Sequence, residues 1–210
     1  MQTLKILLSW SLIAGGSCFF FSGLHEFWGS RLSQAQAAES WESASMREAI
    51  EQDGEIIPPG SESRRLIPAG EAFARLSIPR LHAVLYVVEG TDSTDLRRGP
   101  GHLAGSALPG STGNCVIAGH RDTHFRLLKN VRQGDQIEIE TAAGAFFYRV
   151  SGLSIVTAGN TASLRPSGQP VLNLITCYPF YYAGPAPQRF VVHAGLMTSR
   201  LASNDFQPTP

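Results

Sequence analysis

The sequence predicts an all-β domain, closed or sandwiched, set behind an apolar N-terminal segment and a polar connector. Past residue 70 the apolar residues recur at every second position, and the chain breaks into seven or eight short strand-like runs. The connections between those runs draw heavily on the chain's 21 glycines and 13 prolines.

From Ile6 to Leu24, "ILLSWSLIAGGSCFFFSGL", Cys18 is the only ionisable side chain. A hydrocarbon core of about 30 Å needs roughly 20 helical residues. Residues 1–25 are therefore expected to form a membrane anchor. Lys5 before the run and Glu26 after it favour a cytoplasmic N-terminus and an exported remainder. A cleaved signal peptide is the rival reading, with "AQA" at Ala35 to Ala37 as its small-residue site. The apolar run is longer than a usual signal core, however, and charges intervene before that site. A lipobox ending at Cys18 lacks the aliphatic residue expected at Gly15.

Residues 26–70 shift to Ala, Ser, Glu and Gln and are expected to be a stalk. Gln34 to Gln52 predicts a polar helix with little to bury, and Pro58 and Pro59 interrupt any continuing helix. The globular domain is placed at 71–198 and a flexible tail at 199–210. In "AFARLSIP" Ala74, Leu76 and Ile78 alternate with Phe73, Arg75 and Ser77, and "LHAVLYVVEG" follows as a β-branched run. "DQIEIET" alternates Ile137 and Ile139 with Glu138 and Glu140 and turns through "AAGA" into "FFYRVSGLSIV", which reads as a hairpin. "NCVIAG", "PVLNLIT" and "QRFVVHA" complete the strands. Short helical turns are expected near Ser93 to Gly99 and Phe125 to Val131.

The formal net charge is zero, so there is no basic footprint for nucleic acid. Three cysteines, Cys18, Cys115 and Cys177, are too few and too odd for a disulfide-stapled exported domain, which leaves a lone thiol open to chemistry. Cys115 begins its strand and suits a buried free thiol. Cys177 ends its strand ahead of a loop rich in aromatic residues, Gly and Pro, where either a buried thiol or a nucleophile fits.

His120 and His124 have the spacing for a shared metal on a helix, but Arg121 stands where a glutamate base would follow, and a cation beside a dication is unfavourable. Packed structural roles suit His82, His102 and His193. Asp92, Asp95 and Asp122 are scattered and read as turn carboxylates rather than a calcium site. His120, Cys177 and Arg189 together form a chemical kit of acid/base, nucleophile and fixed cation, all at strand edges.

"NCVIAGHRDTHFRLLKNVRQGD" with "NLITCYPFYYAGPAPQRFVV" resembles the sortase family, and the "GHRDTHF" and "TCYPF" wording is most like its class D members. The likeness covers about residues 71 to 196. Histidine, cysteine and arginine occur in family order, with 57 residues from His120 to Cys177 and 12 from Cys177 to Arg189.

The resemblance implies an eight-stranded β-barrel and a membrane-anchored, single-pass cysteine transpeptidase working on the extracytoplasmic side; the residues themselves give no expectation of a cofactor or a metal site. The resemblance also implies that the enzyme cleaves an LPXTG-like sorting motif after Thr through a thioacyl-enzyme intermediate. The partners implied are the sorting-signal peptide of exported proteins and an amine acceptor at the cell surface. Carried over by position, His120 is the general acid/base, Cys177 the nucleophile and Arg189 the residue that steadies the oxyanion. A cysteine peptidase releasing product to water, or a catalytically idle sortase-like binding domain, are the alternatives.

One departure is Asn173, where the family's cysteine motif usually has Thr. It is expected to alter packing or loop contacts rather than chemistry. The Asp-Pro-aromatic lid signature of pilin-assembling sortases is also missing before residue 71.

Overall fold

The computed structural model describes residues 10, 13, 16, 17, 32–43, 67–181 and 184–201. The expected anchor lies almost wholly outside them, as do most of the stalk and the tail beyond residue 201. Among the described residues no helix is long and apolar enough to cross a membrane.

Eight strands close into one barrel. They are β1 (Ala72–Ile78), β2 (Ala83–Glu89), β3 (Gly101–His102), β4 (Asn114–Gly119), β5 (Gln136–Thr141), β6 (Gly144–Thr157), β7 (Val171–Tyr178) and β8 (Gln188–Leu201). Their order round the barrel is β1-β2-β3-β4-β7-β8-β6-β5. The period-two alternation produces this directly. Ala74, Leu76 and Ile78 are fully buried, and Ile137 and Ile139 on the neighbouring strand β5 point into the same interior, with Leu76 and Ile139 in register. On the opposite face Arg75 and Glu140 sit in register and pair at 2.8 Å, both about one-third exposed, so the ion pair adds little stability.

The expected hairpin is β5–β6, and β8 runs on to Leu201, past the boundary set at 198. β3 escaped the sequence reading because two residues carry no period. The expected helical turns are present as α2 (Asp95–Arg98) and a 3-10 stretch, His124–Asn130, whose Phe125 and Leu128 plug the barrel. Asp92 is an exposed turn carboxylate whose Oδ1 accepts from the backbone N–H groups of Thr94 and Asp95, whereas Asp95 opens α2, is buried and accepts from Asp92 N–H.

Residues 32–43, expected within a stalk with little to bury, form a helix, α1, that packs on the barrel. Gln34, Ala37, Ala38 and Trp41 lie on one face, the i, i+3, i+4, i+7 stripe of an amphipathic helix. Ala37 is small enough to approach Ala72 and Val88, with Trp41 and Tyr86 packed around them. The polar contact is made by Gln34. β3 pairs with β2 only at Val88 and Glu89, which leaves the edge at Tyr86 without a strand beside it. There the Gln34 side-chain amide takes the strand's place: Oε1 accepts from Tyr86 N–H at 2.9 Å, and Nε2 donates to the carbonyls of Tyr86 and Arg98 at 3.2 and 2.9 Å. Gly99 permits this approach, since a Cβ there would lie 2.5 Å from the Tyr86 carbonyl and 2.7 Å from Gln34 Nε2.

Candidate active site

The site is built where β4, β7 and β8 end at one rim. β4 runs parallel to β7, in register from Asn114↔Val171 to Gly119↔Thr176. β8 runs antiparallel to β7 on its other side, with Cys177 in register with Arg189. Carrying the β4–β7 register one residue further sets His120 level with Cys177. Neighbouring strands lie about 4.8 Å apart, so the imidazole-bearing residue and the arginine flank the cysteine on its two sides. The three residues singled out in the sequence thus meet at one place.

Each is held by its surroundings. Gly119 lets the barrel plug come close: a Cβ there would stand 2.7 Å from the Phe125 ring. The chain then turns sharply at His120, whose carbonyl accepts from Phe125 N–H at 3.0 Å. Thr176, 2% exposed, donates its hydroxyl to the Gly119 carbonyl at 2.7 Å, tying the residue before Cys177 to the residue before His120. Arg189 Nη1 donates to the Ala186 and Gln188 carbonyls at 3.1 and 2.9 Å, which fixes the guanidinium at the loop's end.

The loop after Cys177 stands on an aromatic base, with Tyr178, Phe180 and Phe190 in mutual contact at centroid separations of 5.3 to 6.3 Å. Arg121 ties the far side of that loop down, donating to the Pro179 carbonyl at 3.3 Å and to Gly184 at 3.0 Å. The sequence reading treated Arg121 only as an argument against zinc, and gave Thr176 no part. Their neighbours in the chain, His120 and Cys177, were the available signal.

The outer face of the three strands continues from the row of His120, Cys177 and Arg189 in two further rows. Residues in register share a face, so Ala118, Ile175 and Val191 form an apolar row next to Cys177 and Arg189, and Val116, Asn173 and His193 form the row beyond. Ala118 and Ile175 are half-buried, while Val191 and Val116 are covered. The arrangement is a shallow apolar strip ending at the thiol.

The other candidates go elsewhere. Cys115 is 1% exposed on β4, and burial pushes its thiol up to about 12, as a packed thiol behaves. His124 is buried, its Nε2 turned to the Arg97 carbonyl at 3.4 Å, and burial followed by the nearby His120 lowers its pKa. Among the described residues no three His, Cys, Asp or Glu side chains gather as a metal site would require. His102 is buried between Glu89 and the Ser106–Ala107 turn, and His193 is half-buried between Asn173 and Ser154. His82 is not packed; it is exposed and closes a 3-10 turn at φ 49°.

A sequence model of the sortase domain matches residues 76–197, nearly the whole barrel. The chain belongs to the sortase family. Sortase D of Bacillus subtilis (strain 168) is 38% identical over 130 residues, 61% of this chain and 66% of that protein. This sortase spans less than two thirds of the curated relatives it matches, at 66%, 33% and 52% of their lengths. Among solved structures, a Clostridium perfringens Sortase D5 transpeptidase shares the fold with a TM-score of 0.61 at 22% identity, over 81% of this chain and 99% of that one. The catalytic domain of B. anthracis SrtD matches with a TM-score of 0.56 at 30% identity, over 68% and 98% of the two chains.

Proposed function

We propose that this sortase is a cysteine transpeptidase in which Cys177 is the nucleophile, His120 the general acid/base and Arg189 the cation that holds the substrate carbonyl. The observation that carries this reading is the register that brackets Cys177 between His120 and Arg189 at the end of an apolar strip. An extended peptide laid along the half-buried Ala118 and Ile175 would bring its scissile carbonyl to the thiol, and these side chains favour an apolar residue before the reacting bond.

A free thiol has a pKa of about 8.5, so only a small share is thiolate at neutral pH; adjacent cations raise that share. Cys177 thiolate attacks the carbonyl carbon, and the charge that develops on oxygen is met by N–H donors of Arg189, whose two backbone contacts use one of its three nitrogens. The C–N bond breaks as His120 gives its proton to the leaving amine. A thioester remains on Cys177. A primary amine then attacks it, His120 takes the amine proton, and the thiolate leaves as a new amide forms.

The substrate in this reading is a sorting peptide of LPXTG type cut after Thr, and the acceptor is an amine at the cell surface. The apolar run Ile6 to Leu24 supports a single-pass anchor with the barrel outside the membrane. The test is incubation of the full chain with such a peptide, with and without an amine. A mass increment on Cys177 equal to the N-terminal peptide fragment, released as amide when the amine is present, is the expected result. Release only as free acid whatever the amine concentration would make the protein a hydrolase. Cleavage that survives Cys177→Ala would remove the nucleophile.

A further inference from the structure

Beyond the apolar strip, a serine, a histidine and an asparagine on three neighbouring strands form a relay that the proposed transfer does not use. They are Ser154 on β6, His193 on β8 and Asn173 on β7. The Ser154 hydroxyl lies 2.7 Å from His193 Nε2, and His193 Nδ1 lies 2.6 Å from Asn173 Oδ1. The asparagines fix the tautomer. Asn173 Nδ2 donates to Asn114 Oδ1 at 2.7 Å and to the Ser163 carbonyl in loop 158–170 at 3.3 Å. Asn114 Nδ2 in turn donates to the Ser163 and Arg165 carbonyls at 2.8 and 2.9 Å. The atom that Asn173 turns to the ring is thus its oxygen, which can only accept. His193 therefore carries its proton on Nδ1, and the lone pair of Nε2 faces the serine hydroxyl, which donates to it. Burial favours the neutral imidazole as well, lowering the His193 pKa.

A neutral imidazole oriented by an acceptor on one nitrogen and bonded to a hydroxyl on the other can take the proton of an attacking alcohol. Ser154 and His193 are half-buried, so part of each stays open to a ligand, whereas Asn173 and Asn114, 6% and 5% exposed, are closed to water.

The backbone beside Ser154 supplies donors. β6 is in register with β5 only from Gly144 to Arg149, and from Gly152 to Thr157 its strand partner is β8. Ala158 N–H donates to the carbonyl of the opposed Pro187 at 3.0 Å. Hydrogen-bonded pairs alternate along an antiparallel ladder, so Gly152, Ser154 and Val156 bond to β8, and Leu153, Ile155 and Thr157 turn their N–H groups to the other edge. Among the described residues no strand pairs with that edge. Leu153 and Ile155 bracket the serine, so backbone donors stand next to it for charge that develops on a carbonyl oxygen. Cys177 is a separate centre, two strands away and one pleat repeat along, at about 12 Å.

We propose that Ser154 and His193 form a second nucleophile–base pair on this barrel, one that hydrolyses aryl esters of apolar acyl groups without the thiol. The inference does not rest on the transfer reading above. Ser154 Oγ attacks the ester carbonyl carbon as His193 Nε2 takes the hydroxyl proton, and Ile155 N–H meets the oxyanion. The C–O bond to the phenol breaks, the phenol leaves with the proton from Nε2, and an acyl ester remains on Ser154. Water then attacks that ester and gives a proton to Nε2; the acid departs and the proton returns to Ser154 Oγ. Aryl esters are the class because Asn173 is neutral where a carboxylate would stabilise the imidazolium, so the leaving group must depart with little help from an acid. Ile175, half-buried in the same register row as Ser154, offers the apolar surface for the acyl chain.

The experiment uses the full chain as Cys177→Ala, which removes the rim thiol, with 4-nitrophenyl butanoate as the ester and an alkyl fluorophosphonate as the covalent probe. Hydrolysis should exceed the rate in buffer, and residue-resolved mass spectrometry should find the phosphonyl group on Ser154. Adding Ser154→Ala should remove that label and return hydrolysis to the buffer rate. Adding His193→Gln instead should slow hydrolysis and labelling by about 10² or more, with far-UV circular dichroism reading the fold. Where His193→Gln does not fold, Ser154→Ala decides alone. Hydrolysis that Ser154→Ala leaves unchanged, or a label found elsewhere, would overturn the nucleophile. Labelling of Ser154 as fast in a folded His193→Gln chain would overturn the base and the pair with it. Wild-type protein that cuts no sorting peptide, while Cys177→Ala still hydrolyses the ester through Ser154, would sink the transfer reading and leave this one standing.

Discussion

Replacing Thr176 with valine removes one hydroxyl and leaves the shape of the side chain almost untouched. The hydroxyl is 2.7 Å from the Gly119 carbonyl, and the residue is 2% exposed, so neither water nor a side chain can take its place. Leaving a buried acceptor short of its donor costs about 1–3 kcal/mol, and no cavity term adds to it because the volume is kept. For a domain of this size a loss of about 2 kcal/mol lowers Tm by roughly 5–10 °C. Activity should fall as well, since Gly119 carries His120 and Thr176 carries Cys177. Misplacement of reacting groups by about 1 Å costs on the order of a hundredfold, so a smaller shift should cost about tenfold in kcat/KM. Thr176→Ser is the control: it keeps the hydroxyl and loses one methyl, worth about 1 kcal/mol. Stability is best read by urea unfolding followed by far-UV circular dichroism, because Trp10, Trp28 and Trp41 all precede the barrel. A valine variant at least as stable and as active as the serine variant would show that the hydroxyl holds nothing.

His120→Ala should lower kcat/KM by about 10² or more, read in the peptide assay, because under the proposed reading it removes the proton carrier. Arg189→Lys should be a poor replacement, raising KM and lowering kcat together, since an ammonium cannot hold the 186–188 carbonyls and a substrate oxygen in the same fixed geometry. Cys115→Ser should stay active, and residue-resolved mass spectrometry after iodoacetamide should find label on Cys177 and none on Cys115, whose thiol is buried and pushed up to about 12. Asp135 is held below the usual carboxylate range first by Arg80, through paired contacts of 2.5 and 2.7 Å, and then by the Arg132 backbone N–H. A depressed carboxyl supplies stability that is in place above its ordinary value and lost as pH falls through its lowered one. Asp135→Asn should therefore lower Tm at pH 7 and flatten the acid limb of Tm against pH.

Seven of the eight strands are legible in the sequence, β1 and β5 from alternation and the others as short apolar or β-branched runs bounded by turn residues. β3 is not, being two residues held by its neighbours. The positions of His120, Cys177 and Arg189 at strand ends were legible too, since a glycine or an aromatic loop follows or precedes each. What brings them level is the parallel pairing of β4 with β7, and that pairing joins residues 57 apart with nothing local to announce it. The docking of α1 was hidden for a different reason. Only Ala37 on that helix is buried and apolar, and the decisive contact comes from Gln34, a residue whose chemistry reads as solvent-facing until a bare strand edge is found for it to cover. Asn173 shows the same limit: its departure from the family wording was visible, and its three partners on β4, β8 and loop 158–170 were not.

The short pairing of β2 with β3 is closed by a side chain that belongs to a helix some fifty residues upstream of it. A shortened protein beginning at the first strand would carry that seam unzipped, with the N–H and C=O of Tyr86 offered to the first extended segment of another molecule that passes. Preparations of the isolated barrel should accordingly be prone to self-association that a version starting ahead of Ser33 escapes, and the two belong in different tubes when oligomeric state is measured.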